Sequence, residues 1–256
     1  MAEYDNRVLR GQTATVDVVD QGLRAYMLRV YNYMLVGLVL TGLASYGFTL
    51  LTTTSDPALA SKMLPNGVML TALGATVYGT PWMWAVILAP VAVYLFIYVR
   101  LQHLSAVAAQ SAFWLYAALV GVSFSSIFIV YTASSIAQVF FVTAAAFGGL
   151  SLWGYTTKKD LTGFGSFLIM GAWGLFIALI VNMFLKSDMM AWVTSIAGVG
   201  IFAGLTAYDT QKIKEIYYVG DDGTVAARKS VMGALVLYLD FINMFLFLLR
   251  LMGSRR

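Results

Sequence analysis

The chain has no cysteine and only one histidine, His103, among its 256 residues. Without cysteine, disulfides and thiol chemistry are excluded, and a zinc site of the usual histidine and cysteine ligands is not expected. Charged residues are also scarce, at 11% of the chain, whereas 60% of the residues are hydrophobic. No soluble domain of this size needs so much apolar surface, and several apolar runs exceed the ~18 residues that mark a membrane span. The sequence therefore predicts an all-α polytopic membrane protein.

Seven apolar runs are long enough to cross a bilayer as helices. They lie at about 30–51, 82–100, 107–131, 136–156, 164–185, 190–211 and 231–252. Residues 1–29 mix both charge signs and lack the apolar core of a signal peptide. We therefore expect a cytoplasmic N-terminal tail whose second half, from about Thr15, forms an interfacial helix. Residues 253–256 form a short tail, and the stretch from Val68 to Tyr78, which is too short to span, is expected to be re-entrant or interfacial.

The basic residues orient the predicted bundle. With a cytoplasmic N-terminus, eleven of the sixteen Lys and Arg residues face the cytoplasm, and the outer loops hold only Lys62 and Lys186. This bias follows the positive-inside rule. Arg250, Arg255 and Arg256 would then face outside, so the last helix either follows its neighbours or is re-entrant. Because the basic residues lie in short loops, membrane headgroups are the expected partner and nucleic acid is not.

The last apolar run carries an acidic residue near its middle. Asp240 lies about 14 Å beyond Val231 along a helix, roughly halfway through a ~30 Å hydrocarbon core. A carboxylate at that depth costs on the order of 2.5–3.5 kcal/mol on insertion scales. We therefore expect Asp240 to have a partner and a function, and the expected partner is Asp209, at the end of the preceding run. Two acids in runs whose only basic residue is Arg250, near the end of the last run, point to ion or proton handling.

Asp209 and Asp240 are expected to lie at the same depth. Their midpoint falls between Thr224 and Val225, next to a glycine- and aspartate-rich turn, and residues equidistant from the turn of an antiparallel hairpin lie level. Two such carboxylates in a bundle of low dielectric constant cannot both ionise cheaply, so the pair is expected to titrate as a unit and to hold a shared proton or a cation. Calcium takes roughly 6–8 oxygen ligands and two carboxylates supply at most four, so calcium binding there is expected to be weak and transient.

Simpler roles are open for the same residues. Asp209 lies where its run turns polar, as at an ordinary helix end, and Asp240 could accept a structural hydrogen bond. Tyr208 adjoins Asp209, and Asn243 is one helical turn from Asp240, so both could complete a polar cluster. Arg100 ends the second run, where it is either a positive-inside anchor or a partner that reaches the acidic pair.

Two C-terminal segments carry a specific motif. The first reads Gly200-Ile-Phe-Ala-Gly-Leu-Thr-Ala-Tyr-Asp-Thr-Gln211, and the second reads Leu237-Tyr-Leu-Asp-Phe-Ile-Asn-Met-Phe-Leu-Phe-Leu-Leu-Arg250. In these segments, and over the body of the chain from about Tyr26, the sequence resembles the Bax inhibitor-1 family, also called the TMBIM or YccA-like family. The resemblance implies seven transmembrane helices with the C-terminal helix in the centre.

The resemblance also implies a pH-sensitive calcium leak. Its gate is a pair of aspartates in the sixth and seventh helices, which fall on Asp209 and Asp240. In the closed state, an arginine near the end of the second helix pairs with the sixth-helix aspartate, and Arg100 is the best match for this latch. Calcium is then the transported ion, protons and the lipid bilayer are further partners, and no cofactor is expected. The absence of a C-terminal basic cluster of eukaryotic type favours a bacterial inner membrane.

Two other classes of membrane protein share features with this sequence. Presenilin-type proteases also place two aspartates on adjacent helices, and Tyr208-Asp209 fits their first motif. Asp240, however, follows Leu237-Tyr-Leu instead of Gly-x-Gly, so no enzyme activity is expected. The alternative to a leak is a non-transporting scaffold that modulates a membrane protease or a stress or cell-death partner, a role that does not require a buried acidic pair.

Overall fold

The protein is described by a computed structural model that covers the backbone of residues 2–100 and 103–256 and the side chains of residues 21–100 and 103–256. In this part of the chain there are eight α-helices: α1 (Ala2–Thr52), α2 (Ala72–Gly79), α3 (Trp82–Arg100), α4 (Ala106–Val130), α5 (Ala133–Thr156), α6 (Thr162–Leu185), α7 (Asp188–Ile216) and α8 (Gly223–Met252). Within the described residues, all of these except α2 are long and apolar enough to cross a membrane. The predicted all-α polytopic fold is therefore confirmed.

Short polar residues begin most of the helices. A hydroxyl or carboxylate oxygen accepts a hydrogen bond from a backbone N–H of the first turn, which would otherwise lack a partner. These capping residues are Thr71 for α2, Ser105 for α4, Thr132 for α5, Ser187 for α7 and Asp222 for α8. The short turns of the bundle are thus set by local sequence.

The segment between α1 and α3 folds into a small cap. It contains three antiparallel strands, β1 (Thr53–Thr54), β2 (Lys62–Met63) and β3 (Met69–Leu70), in the order β1-β3-β2, followed by α2. At about 1.5 Å per residue, α2 is about 12 Å long, far shorter than a bilayer. The side-chain amide of Asn66 donates to the carbonyl oxygen of Ile129 at 2.7 Å. This cap therefore lies at the end of the bundle that carries the turn between α4 and α5.

The C-terminal helix α8 is the centre of the bundle. It packs against α1, α4, α5 and α7. Its membrane window is 67% buried inside the protein, against 11–39% for the other six spans of the described chain. Leu235, Leu237 and Tyr238 on α8 have no exposed surface. The position predicted for the last helix is confirmed.

The chain terminus lies beside the turn between α4 and α5. The Arg256 backbone N–H donates to the Val130 carbonyl oxygen at 2.9 Å, and the Thr132 N–H donates to the Ser254 carbonyl oxygen at 3.1 Å. Helix α8 therefore crosses the whole bundle instead of turning back, and its C-terminus lies opposite the turn that joins α7 to α8. We call the end that carries this turn the α7–α8 end. Which end faces the cytoplasm stays a prediction.

Helix α1 is continuous past the predicted start of the first span. Its backbone is helical from Ala2 to Thr52, and within the part whose side chains are described, Gln21–Thr52, it is apolar enough to cross a membrane. Tyr26, Met27 and Val30 are buried in the bundle, and the Tyr26 ring lies 5.5 Å from the Tyr217 ring at the end of α7. This packing extends the bundle towards the N-terminus. The side chains of the predicted interfacial segment before Gln21 lie outside the described residues.

Candidate functional site

The structure brings the two predicted aspartates together. Asp209 on α7 and Asp240 on α8 lie within hydrogen-bond reach of each other. Asp240 is buried, with 4% of its surface exposed, and Asp209 is partly buried. The turn between the two helices spans residues 217–222, earlier in the chain than the predicted midpoint between Thr224 and Val225. The start of α8 therefore runs past the end of α7, where Lys229 Nζ donates to the Ile216 carbonyl oxygen at 3.1 Å, and this offset brings the two carboxyls together.

One oxygen of the pair receives no hydrogen bond from the surrounding bundle. Asp240 Oδ2 is buried, and no N–H or O–H donor of the described residues bonds to it. Among the described residues there is also no group of three or more His, Asp or Glu side chains that could hold a metal ion. The pair can therefore share a proton, or bind a cation weakly with help from water and backbone oxygens, but it does not form a complete metal cage.

Glycines hold α7 against the helices around it. A Cβ on Gly154 of α5 would lie 2.2 Å from the Ala207 carbonyl oxygen, and a Cβ on Gly233 of α8 would lie 2.9 Å from Ile213 Cγ2. Only a residue without a Cβ permits these approaches, as is common where membrane helices pack closely. The backbone on both sides of Asp209 is thus tightly fixed.

Two polar residues predicted to support the pair make their described contacts elsewhere. The Tyr208 ring packs on Gly165 of α6, where a Cβ would lie 2.3 Å from Tyr208 Cδ2. The Asn243 side chain donates to the Leu239 carbonyl oxygen of its own helix at 2.9 Å. Neighbouring residues of a helix point about 100° apart, so Tyr208 faces a different helix from Asp209.

Arg100 lies at the end of α3 with an exposed side chain. The ion pairs Lys212–Glu215 and Lys229–Asp221 are formed at the α7–α8 end, and Arg100 takes part in neither. Helix α3 packs mainly against α4 and α2, at the periphery of the bundle. The latch between Arg100 and Asp209 stays a prediction, and it would require a movement of α3 or of the Arg100 side chain.

A chain of hydroxyl groups next to the pair could not be predicted from the sequence. The Tyr31 hydroxyl lies 2.7 Å from Ser151 Oγ, and Ser151 Oγ lies 2.9 Å from Thr210 Oγ1. These contacts join α1, α5 and α7 at the residue that follows Asp209. Thr210 belongs to the quoted motif, but no sequence signal connects it to Tyr31 or Ser151.

A second hydroxyl contact sets the orientation of α8. The Tyr238 hydroxyl lies 2.7 Å from Thr41 Oγ1, which is also 2.9 Å from the Ala117 carbonyl oxygen. The Tyr238 ring is enclosed edge-to-face by Phe113 and Tyr116 of α4. Because Tyr238 precedes Asp240 by two residues, this contact holds the opposite face of α8 and directs Asp240 towards α7.

The turn between α5 and α6 is attached to α7 close to the pair. The Leu161 N–H donates to Gln211 Oε1 at 2.9 Å, and Gln211 Nε2 donates to the Lys159 carbonyl oxygen at 2.8 Å. In the same turn, hydrogen bonds from Thr162 hold the pKa of the exposed Asp160 below its usual value. Asp160 is therefore ionised throughout the neutral range and does not titrate between pH 6 and 8.

Comparison with known families gives the evolutionary context. The family described as inhibitor of apoptosis-promoting Bax1 matches residues 23–256. This range includes helices α2 to α8 and most of the apolar part of α1. The chain belongs to the Bax inhibitor-1 family. This confirms the resemblance seen in the C-terminal motif.

Bacterial relatives of this family member are similar over nearly their whole length. The inner membrane protein YbhL of Escherichia coli K12 is 44% identical over 237 residues, which cover 92% of this chain and 94% of that protein. Protein RP147 of Rickettsia prowazekii is 43% identical over 237 residues, covering 93% and 92%. A protein of Deinococcus radiodurans is 36% identical over 255 residues, covering 100% of both chains. The shared length supports one common fold.

Proposed function

We propose that this protein is a pH-sensitive cation leak of the membrane that passes calcium and is gated by protonation of the Asp209–Asp240 pair. The observation that carries the proposal is the contact between the two carboxyls inside the bundle, where no N–H or O–H donor of the described residues bonds to Asp240 Oδ2. The family resemblance points to the same pair.

A purely structural role explains the pair poorly. A buried polar atom without a hydrogen bond costs about 1–3 kcal/mol, and an ionisable group inside a membrane bundle is by default a functional site. Asp240 is 4% exposed on the most buried helix of the described chain. An apolar residue there would remove this cost, so retention of the acid fits a role in ion or proton handling.

The geometry supports a proton as the controlling ligand. Two bare carboxylates in contact repel each other, and a proton shared between them relieves the repulsion. When this proton leaves, the charge on Asp209 can attract Arg100, which is disengaged and exposed in the present arrangement. Acidification therefore favours the contacting pair and releases the latch, and alkalinisation restores it. The leak is thus expected to increase as the pH falls.

Calcium is expected to bind to the pair weakly and transiently. Two carboxylates supply at most four of its roughly 6–8 oxygen ligands, so water and backbone oxygens complete the shell. An incomplete shell gives weak binding, which permits release to the other side. A storage site would need further acidic ligands, and the described residues offer none around the pair.

Calcium flux into dye-loaded liposomes tests this proposal. For the parent protein, we expect flux to rise as the pH falls from 8 to 6, by at most ~10-fold per pH unit if one proton is bound. Asp209→Asn and Asp240→Asn are expected to give flux that is nearly independent of pH. Asp188→Asn is the matched control, because Asp188 is an exposed acid on the same helix as Asp209 and its loss should leave the pH profile unchanged.

Two results would contradict the proposal. If both asparagine variants keep the parent pH profile, the pair is not the gate. If no preparation exceeds empty liposomes at any pH, the protein is not a leak, and the non-transporting scaffold that modulates a membrane protease or stress partner becomes the better account.

A further inference from the structure

A groove between α1 and α5 opens on the side of the bundle. Helix α1 packs against α4 and α8, whereas α5 packs against α7 and α8. Between α1 and α5 lies a cavity of about 710 Å³ that reaches the Phe241 side chain of α8. We call this cavity the α1–α5 groove.

The lining of the α1–α5 groove is apolar for most of its length. Met27 and Met34 of α1 face Ala144 and Phe147 of α5 across it. Its border is formed by exposed apolar side chains, for example Leu152, which is 63% exposed. An apolar opening in the membrane-spanning part of the bundle faces acyl chains rather than water.

One end of the groove is polar and positively charged. Arg24, Tyr31, Ser151 and Tyr155 line it at the α7–α8 end, and Arg24 is exposed. A second cation lies next to this end, because Lys214 Nζ donates to the Tyr155 carbonyl oxygen at 3.0 Å and lies 5.3 Å from the centre of its ring. This charge suits a phosphate group.

The dimensions match one lipid leaflet. The apolar wall from Met27 to Leu38 rises about 17 Å along α1, close to half of a ~30 Å hydrocarbon core. With its phosphate near Arg24, a phospholipid would place one acyl chain along this wall. We propose that the α1–α5 groove binds an anionic phospholipid, with the headgroup at Arg24 and an acyl chain against Phe241.

A transmembrane helix of a partner fits the groove less well. A helix with its side chains is about 10 Å wide, so it would cover the opening of the groove without reaching its inner end. A single acyl chain is narrower and flexible, and it can follow the groove to its inner end. There, a smaller cavity of about 100 Å³ shares Leu38, Phe140 and Phe241 with the groove.

Lipid binding to delipidated protein, measured by native mass spectrometry, tests the proposal. The probes are phosphatidylglycerol and phosphatidylcholine with identical chains. The parent protein is expected to bind one phosphatidylglycerol ~5-fold more tightly than phosphatidylcholine, as one basic contact of about 1 kcal/mol provides. Arg24→Gln changes an exposed side chain and should reduce this preference to about 1-fold without affecting the fold.

Two glycines on α5 provide a variant that blocks the groove and a matched control. Gly148 lines the groove, and Gly149 does not. A Cβ at either position meets no atom within 4 Å, and both glycines are exposed, so a side chain can leave the helix at either position. Gly148→Phe should fill the groove and abolish tight binding of one lipid, whereas Gly149→Phe should bind like the parent protein. If Gly148→Phe fails to fold, the Arg24→Gln comparison still decides whether the anionic headgroup is recognised.

Three outcomes would overturn the proposal. Equal lipid binding by folded Gly148→Phe and Gly149→Phe would place the lipid elsewhere. Equal affinity of the parent protein for both lipids, unchanged in Arg24→Gln, would exclude recognition of an anionic headgroup at Arg24. If the parent protein holds no lipid but co-purifies with a polypeptide that is absent from Gly148→Phe, the groove would be assigned to a protein partner.

Discussion

Asp240→Asn is expected to stabilise the folded protein at pH 8 by about 1–3 kcal/mol, even though it removes the proposed gate. In the parent protein, loss of the shared proton leaves two negative charges inside the bundle, and the proposed latch with Arg100 can compensate only one of them. Asparagine has nearly the same shape, carries no charge and offers an N–H that can donate to the Asp209 carboxylate. The substitution therefore replaces a repulsive contact with a hydrogen bond.

Thermal unfolding in detergent at pH 8 measures this effect. For a chain of this size, 1 kcal/mol corresponds to a shift of about 2–4 °C in the unfolding midpoint. Asp188→Asn serves as the control for a general loss of negative charge. A gain in stability combined with a loss of pH-dependent flux is the pattern expected of a functional residue retained at a cost in stability. A clear loss of stability would show instead that the Asp240 carboxylate is structural.

Gly154→Ala is expected to disrupt the bundle, at a cost of about 3 kcal/mol or more. The added methyl group would lie 2.2 Å from the Ala207 carbonyl oxygen and 2.8 Å from its Cα. These are backbone atoms of α7, which cannot rotate away, so α5 and α7 must separate. The hydroxyl contact of Ser151 with Thr210, one turn away on the same helix, would open as well.

Gly149→Ala is the control for this substitution. It lies on the same helix, and its added methyl group would meet no atom within 4 Å, so alanine should be neutral or slightly stabilising there. The measurement is the yield of monodisperse protein in size-exclusion chromatography together with the unfolding midpoint. Equal behaviour of the two alanine variants would contradict the close approach of α5 and α7.

The sequence carries enough information to place the acidic pair. Hydropathy delimits the spans, and two acids on consecutive helices of one hairpin predict that the pair meets. The turn itself is not where the sequence predicts it, because α7 already ends at Ile216 and Thr224 lies inside α8. The central position of α8 came from the family resemblance and not from periodicity, since a helix that is apolar on all sides does not reveal which neighbours it has.

Contacts between helices that are far apart along the chain cannot be predicted from the sequence. Ser151 is 120 residues from Tyr31, and nothing in either local pattern indicates that α1, α5 and α7 meet there. The α1–α5 groove exists because α1 and α5 do not pack against each other. This absence of packing is a property of the whole bundle and not of either helix. The sequence predicts Tyr208 near the pair because it adjoins Asp209, but adjacent positions on a helix face different neighbours.

The double variant Asp209→Asn/Asp240→Asn tests the central claim most directly. The measured quantity is the ratio of calcium flux at pH 6 to calcium flux at pH 8. This ratio is compared among the double variant, the two single variants and the parent protein. If one proton shared by the pair controls the leak, each single variant removes the whole pH response, and the double variant changes nothing further. If instead each single variant keeps about half of the response on a logarithmic scale and only the double variant abolishes it, the two aspartates act independently. That result would contradict a gate formed by the pair.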